Sequence, residues 1–129
     1  VEYSIYFLST GDVEAKDVLV CDRIPTNTSF LRDAYASTPA DPLGSQPNRL
    51  GIVLDYNGNE YALTGATDGD AGVYFPAGLE PSTQFPDVEC GGTNDNGAIV
   101  VNLGNLPPAT SAGAPTESFG VLRFQTQID

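Results

Sequence analysis

Seventeen carboxylates, two cysteines and no histidine set the chemistry open to this 129-residue chain. Oxygen donors cluster three times: Asp55, Asn57, Asn59 and Glu60 in DYNGNE, Asp68 and Asp70 in TDGD, and Asn94, Asp95 and Asn96 in TNDNG. Calcium is bound by six to eight oxygens, roughly, so such clusters are the raw material of a calcium site. None follows the EF-hand loop, which a Glu must close. Asp, Asn and Gly are also the ordinary turn formers. Asp68-Gly69-Asp70 is therefore the calcium candidate, with a plain turn as the competing reading, and Asn57-Gly58 reads as a hairpin turn. Glycoside hydrolysis would need two carboxyl groups facing each other across a cleft. With seventeen acids, chance pairs are easy to find, and nothing in the order of residues places them together. A Ser or Cys nucleophile normally works with a positioned base, most often His. The expectation is a protein that is not an enzyme and has no cofactor beyond that calcium candidate.

The two cysteines, Cys21 and Cys90, differ in setting. Cys21 lies in an alternating apolar segment and Cys90 in a Gly-rich stretch. A disulfide, two free thiols and a metal site are the options, and zinc is poorly served without His or a third Cys. Net charge is −12, with Lys16, Arg23, Arg32, Arg49 and Arg123 the whole basic complement. Nucleic acid and anionic lipid both call for a basic footprint, so neither is an expected partner. No apolar run reaches the ~18 residues of a membrane span. The chain opens at Val1 directly in a strand pattern, with no signal peptide or initiator Met, as a processed product or a piece of a longer protein would.

The elements that must position these residues read as strands. The 14 Gly and 10 Pro point to many turns and few helices. Tyr3–Leu8 and Asp17–Ile24 alternate, and Pro25 ends the second. Ser29–Tyr35 is a third candidate. A Pro/Gly/Ser loop without period follows. Leu50–Tyr56 and Glu60–Thr64 flank Asn57-Gly58-Asn59 as a hairpin. Val73–Phe75 is short, Ala98–Leu103 is compact and apolar, and Phe119–Ile128 alternates well. Seven or eight strands without a helix predict an antiparallel β-sandwich.

The two ends of the chain resemble a known family. Tyr3–Leu8, Ser9-Thr10-Gly11, Val18-Leu19-Val20, Asp22, Ile24-Pro25 and Ser29-Phe30 match its opening pattern. Ile99–Leu103, Gly104-Asn105-Leu106-Pro107-Pro108 and Ser118–Ile128 match its close. The pattern is similar to the immunoglobulin-like bacterial surface-repeat domain catalogued as domain of unknown function eleven, over about half the chain. Cysteine-bearing variants of this kind occur in cyanobacterial exported proteins. The resemblance implies one immunoglobulin-like domain over residues 1–129, with a long loop-rich insertion at about 37–96. It also implies an extracellular or cell-surface location and a structural, adhesive or fibre-assembly role. No catalytic residue transfers from it.

In an exported chain, an even pair of cysteines reads as a disulfide. Cys21–Cys90 would close a loop of about 70 residues, worth about 4 kcal/mol in the chain-entropy model. Strand addition to a neighbouring copy or surface domain, as in filament or pilus-like assembly, would use terminal edge strands. Tyr3, Ile5, Phe7, Phe124 and Ile128 are the residues expected there. The alternative is a calcium- or carbohydrate-binding module built by the insertion, with Tyr74, Phe75 and Phe85 lining a sugar-binding surface, against the simpler reading that they pack inward. Asn27-Thr28-Ser29 fits the N-glycosylation pattern, and Thr110, Ser111 and Thr116 lie in a connector that O-glycans favour.

Overall fold

The computed structural model describes residues 1–35, 50–66 and 69–129. Among them are eight strands: β1 (Glu2–Leu8), β2 (Ala15–Arg23), β3 (Thr28–Phe30), β4 (Leu50–Tyr56), β5 (Asn59–Thr64), β6 (Gly72–Phe75), β7 (Ala98–Leu106) and β8 (Phe119–Ile128). They form two antiparallel sheets. The larger runs β1-β8-β4-β5, with β3 also paired to β8; the smaller runs β2-β7-β6. The chain is thus the all-β sandwich its alternation predicts.

β8 is the spine of the larger sheet. Its inward residues Leu122, Phe124 and Thr126 are buried, while Arg123 and Gln125 face the other way. Tyr3 stacks on Phe124 with ring centroids 5.1 Å apart. Phe30 meets the edge of Phe124 and stacks on Tyr74 at 4.8 Å, and the Arg32 guanidinium lies over the Tyr74 ring at 4.8 Å from its centroid. From the smaller sheet, Ile99, Val101 and Leu103 of β7 complete the same core. Arg123 reaches Glu60 at 3.1 Å across the outer face.

The β4–β5 turn is the expected one. Asn57 (φ 53°) and Gly58 (φ 72°) both take the positive φ of a type I′ hairpin. On β8, Gly120 lies between Phe7 of β1 and Tyr56 of β4. Those two rings tilt together over it at 6.0 Å. A Cβ at this position would collide with the Asp55 carbonyl oxygen and the Phe7 ring.

Four expectations need correction. The third strand is only Thr28–Phe30, and Arg32–Tyr35 form a turn. Arg32 lies over Tyr74, and the Tyr35 hydroxyl donates to the Glu2 carboxylate at 2.9 Å, so the chain leaves the sheet instead of extending it. β7 does not stop at Leu103. Gly104 (φ 66°) makes an irregular step opposite Val18, and pairing resumes at Leu106. The span 37–96 is less an insertion than a source of strands, since it supplies β4, β5 and β6, with β4 in the middle of the larger sheet. Finally, Phe124 is no edge residue. It is fully buried on the central strand, paired to Tyr3 on one side and Ile52 on the other. Ile128, though 69 % exposed, pairs with Thr28 of β3. Tyr3, Ile5 and Phe7 do lie on an edge strand, with their side chains turned toward the core.

Gly120→Ala should lower stability by about 2 kcal/mol, because the added methyl must displace a ring or the β4 backbone. Urea denaturation of the variant against the parent measures it.

Candidate functional site

The outer face of the smaller sheet is apolar. Val100 of β7 and Val73 and Phe75 of β6 are buried there, joined by Leu19 and Cys21 of β2. A period of two should put polar residues on such a face. Instead the sequence keeps both faces of AIVV apolar, so something must cover the outer one. The cover is the segment from Pro76 to Gly97. Its short helical turn (Pro81–Thr83) places Phe85 edge-on to Phe75, with centroids 6.2 Å apart.

Three devices hold this cover. The first is the Cys21–Cys90 disulfide, with Cα atoms 5.4 Å apart and the residues 69 positions apart in sequence. The second is Arg23, two residues further along the same face of β2. Its Nε donates to the carbonyls of Cys90, at 3.0 Å, and Gly91, and Nη2 donates to the carbonyl of Gly92. Nη2 also lies 3.9 Å from the Glu80 carboxylate. The third is Asn94, whose side chain is completely buried. Its Nδ2 donates to the carbonyls of Pro76 (3.0 Å) and Leu79 (2.7 Å). Its Oδ1 accepts from the Gly97 N–H at 2.8 Å, and its own N–H donates to Glu80 Oε1 at 2.6 Å. Next to it, Asn96 Nδ2 donates to the carbonyl of Thr28 at 2.8 Å, binding the segment to the start of β3.

The amide-rich TNDNG stretch, grouped at first with the oxygen donors, thus serves largely as an amide-donor cluster that satisfies loop carbonyls. The sequence signal for that role was the absence of strand period around it, since a loop on an apolar face must have its backbone groups paired.

Asp68 lies outside the described residues. Asp70 accepts from the N–H groups of Thr64 (2.7 Å) and Gly72 (2.8 Å) and so caps the β5–β6 turn. Among the described residues, no three His, Cys, Asp or Glu side chains are grouped to hold a metal ion. Tyr74 packs against Phe30 in the core, Phe75 is buried on the opposite face under the cover, and Phe85 is half-buried. Phe85 does border a shallow open hollow of about 170 Å³, together with Asp17, Leu19, Gln84, Pro86, Asp87 and Asn102. Asn27 is exposed in the turn before β3, with φ 61°. Thr116 Oγ1 donates to Asn57 Oδ1, and Thr110 N–H to the Ala114 carbonyl.

Two carboxylates respond to this architecture in opposite senses. Asp22 shares the inward face of β2 with Val18 and Val20, and burial pushes its carboxyl above the ordinary value. Glu2 is held below it by donors from Gln125 and Tyr35. Comparison with protein-family models, with curated proteins and with solved structures gives no match. No helix among the described residues is long and apolar enough to cross a membrane.

Two outcomes are expected here. Replacing both Cys21 and Cys90 by Ser should cost about 4 kcal/mol, and Asn94→Ala about 3 kcal/mol, because it strands buried backbone groups. The triple variant should lose less than the sum, since both changes release the same segment; denaturant titration of the cycle reads the coupling. For Asp22, the folded chain holds its proton to higher pH than the unfolded chain. The stability it contributes is complete below the unfolded value and declines as pH rises through the raised one. Asp22→Asn should therefore raise the melting temperature at neutral pH, with the gain vanishing below about pH 4. Thermal melts across pH test this.

Proposed function

We propose that the chain is a non-enzymatic structural module of an exported cell-surface or extracellular protein, acting in surface architecture, adhesion or fibre assembly. The observation that carries this reading is the Cys21–Cys90 clamp, which joins β2 to a segment 69 residues away. A disulfide of this kind belongs to a non-reducing setting. Arg23, Asn94 and Asn96 in the covering network, and Asp70 in the β5–β6 turn, direct polar groups at backbone atoms of the same chain. Side chains used in this way give rigidity to a loop-rich domain. The surface-repeat resemblance of the two chain ends agrees with the same role.

A ligand-binding module is the second reading. The hollow beside Phe85 favours it, since an aromatic edge flanked by the Gln84 and Asn102 amides and the Asp17 and Asp87 carboxylates suits a sugar. Differential scanning calorimetry separates the two. For a structural module, the melting temperature drops on addition of reductant and is unchanged between calcium and EDTA. A calcium-dependent rise, or a rise with added oligosaccharide, follows mass action at a specific site and would move the assignment to the second reading.

A further inference from the structure

Five described strands are paired on one side only: β3, just three residues long, and β1, β2, β5 and β6, which are not alike. β2 is guarded: its register shifts twice between Ala15 and Leu19, Lys16 and Asp17 lie at the irregularity, and Asp22 points inward. Bulges, Lys and inward charges are the usual protections of an edge. β6 has four residues, and its Tyr74 N–H already donates to the carbonyl of Gly65, just past the end of β5. β5 ends at a register shift, where Leu63 and Thr64 face Ile52 and Leu50 of β4, and it carries Glu60. β1 has no such irregularity, and its one charged residue, Glu2, stands at the very start of the strand. It pairs residue for residue with β8 from Glu2 to Leu8, with no shift, proline or lysine. Tyr6 and Leu8 on its outer face are 80 % and 53 % exposed.

The direction of its hydrogen bonds is known. Val1 exchanges both main-chain bonds with Thr126, so Val1, Tyr3, Ile5 and Phe7 bond inward to β8. The N–H and C=O groups of Glu2, Ser4, Tyr6 and Leu8 therefore point outward, and no other described strand pairs with them. We infer that this edge pairs antiparallel with β1 of a second copy, about a two-fold axis through Ile5.

The sequence EYSIYFL is self-complementary in that register. Glu2 bonds with Leu8 of the second copy and Ser4 with its Tyr6, so all four outward residues are used. Tyr3 faces Phe7 and Ile5 faces Ile5 on the core side, where all three are only half-covered within one chain. Shifting the register by two residues in either direction leaves one outward residue of each strand unpaired. Charge agrees: the two Glu2 carboxylates sit at opposite ends of the pair, roughly 20 Å apart at the rise of a strand, beyond the screening length of physiological salt. An isologous contact of this type closes on itself as a dimer. It names a partner for the structural module proposed above.

The test is cysteine cross-linking in the otherwise intact chain, with the Cys21–Cys90 bridge already formed. In the paired register the two Ile5 Cα atoms lie about 4.5 Å apart, within disulfide range. Ile5→Cys should give a covalent dimer under mild oxidation. Ser4→Cys alone should not, because Ser4 faces Tyr6; a mixture of Ser4→Cys and Tyr6→Cys should. Sedimentation of the unaltered protein should show a monomer–dimer equilibrium across a roughly hundredfold concentration range. Ser4→Pro removes an outward donor without touching the β1–β8 ladder, and should shift that equilibrium to monomer with the melt of the monomer retained. A single monomeric species throughout overturns the pairing while leaving the clamp-based reading in place. Open filaments, or Ser4→Cys self-linking, overturn this register.

Discussion

The apolar outer face of β7 is the constraint from which most of this architecture follows. Ala98 to Val101 are buried on both sides, as in a central strand of a layered fold, yet among the described residues no third layer of strands or long helices covers the smaller sheet. Val73, Phe75 and Val100 would otherwise stand in water. The covering segment contributes little apolar surface of its own beyond Phe85, and it contains few regular hydrogen bonds. Its position therefore rests on point attachments. The disulfide fixes one end of the cover to β2, Arg23 collects three successive carbonyls beside it, and Asn94 ties the other end to Pro76 and Leu79. Each attachment replaces a part of what a strand ladder would have supplied.

The larger sheet obeys a simpler rule. β8 is long and alternates cleanly, and it accepts partners on both sides: β1 on one, β3 and β4 on the other. Its centrality explains why a terminal strand is not an edge strand. Phe124 is buried because β8 runs back through the middle of the sheet, a feature of antiparallel topology that sequence order alone does not reveal. Gly120 is the cost of that position, since two aromatic rings from opposite neighbours close over the same residue.

Local patterns were readable from the sequence wherever they carried a period or a turn code. The alternation of Tyr3–Leu8 and Phe119–Ile128, the Asn57-Gly58 turn and the compact AIVV run all became the elements they suggested. The Cys21–Cys90 pair was readable because two cysteines admit one partner each. What stayed hidden was non-local. Asn94 and Asn96 looked like calcium ligands, because an amide reveals neither whether its oxygen or its nitrogen is used nor what lies above it. Arg23 looked like one of five scattered cations, and its role depends on a loop 67 to 69 residues away. Asp70 looked like half of a metal site, and in the fold it caps a turn through Thr64 and Gly72.

Edge and charge bear together on the proposed β1 pairing. A net charge of −12 sets a repulsive background between copies, which suppresses contacts that depend on scattered apolar residues such as Val13 or Leu79. A contact that survives this background must offset it with many directional bonds at once and must keep its own carboxylates apart. β1 meets both conditions. From Tyr3 to Leu8 it carries no charge, its four outward residues offer a complete set of main-chain donors and acceptors, and its one acid stands at the end of the strand, where Gln125 and Tyr35 already hold it. β2, with its register shifts on either side of Val18, offers no comparably regular edge on the adjoining sheet.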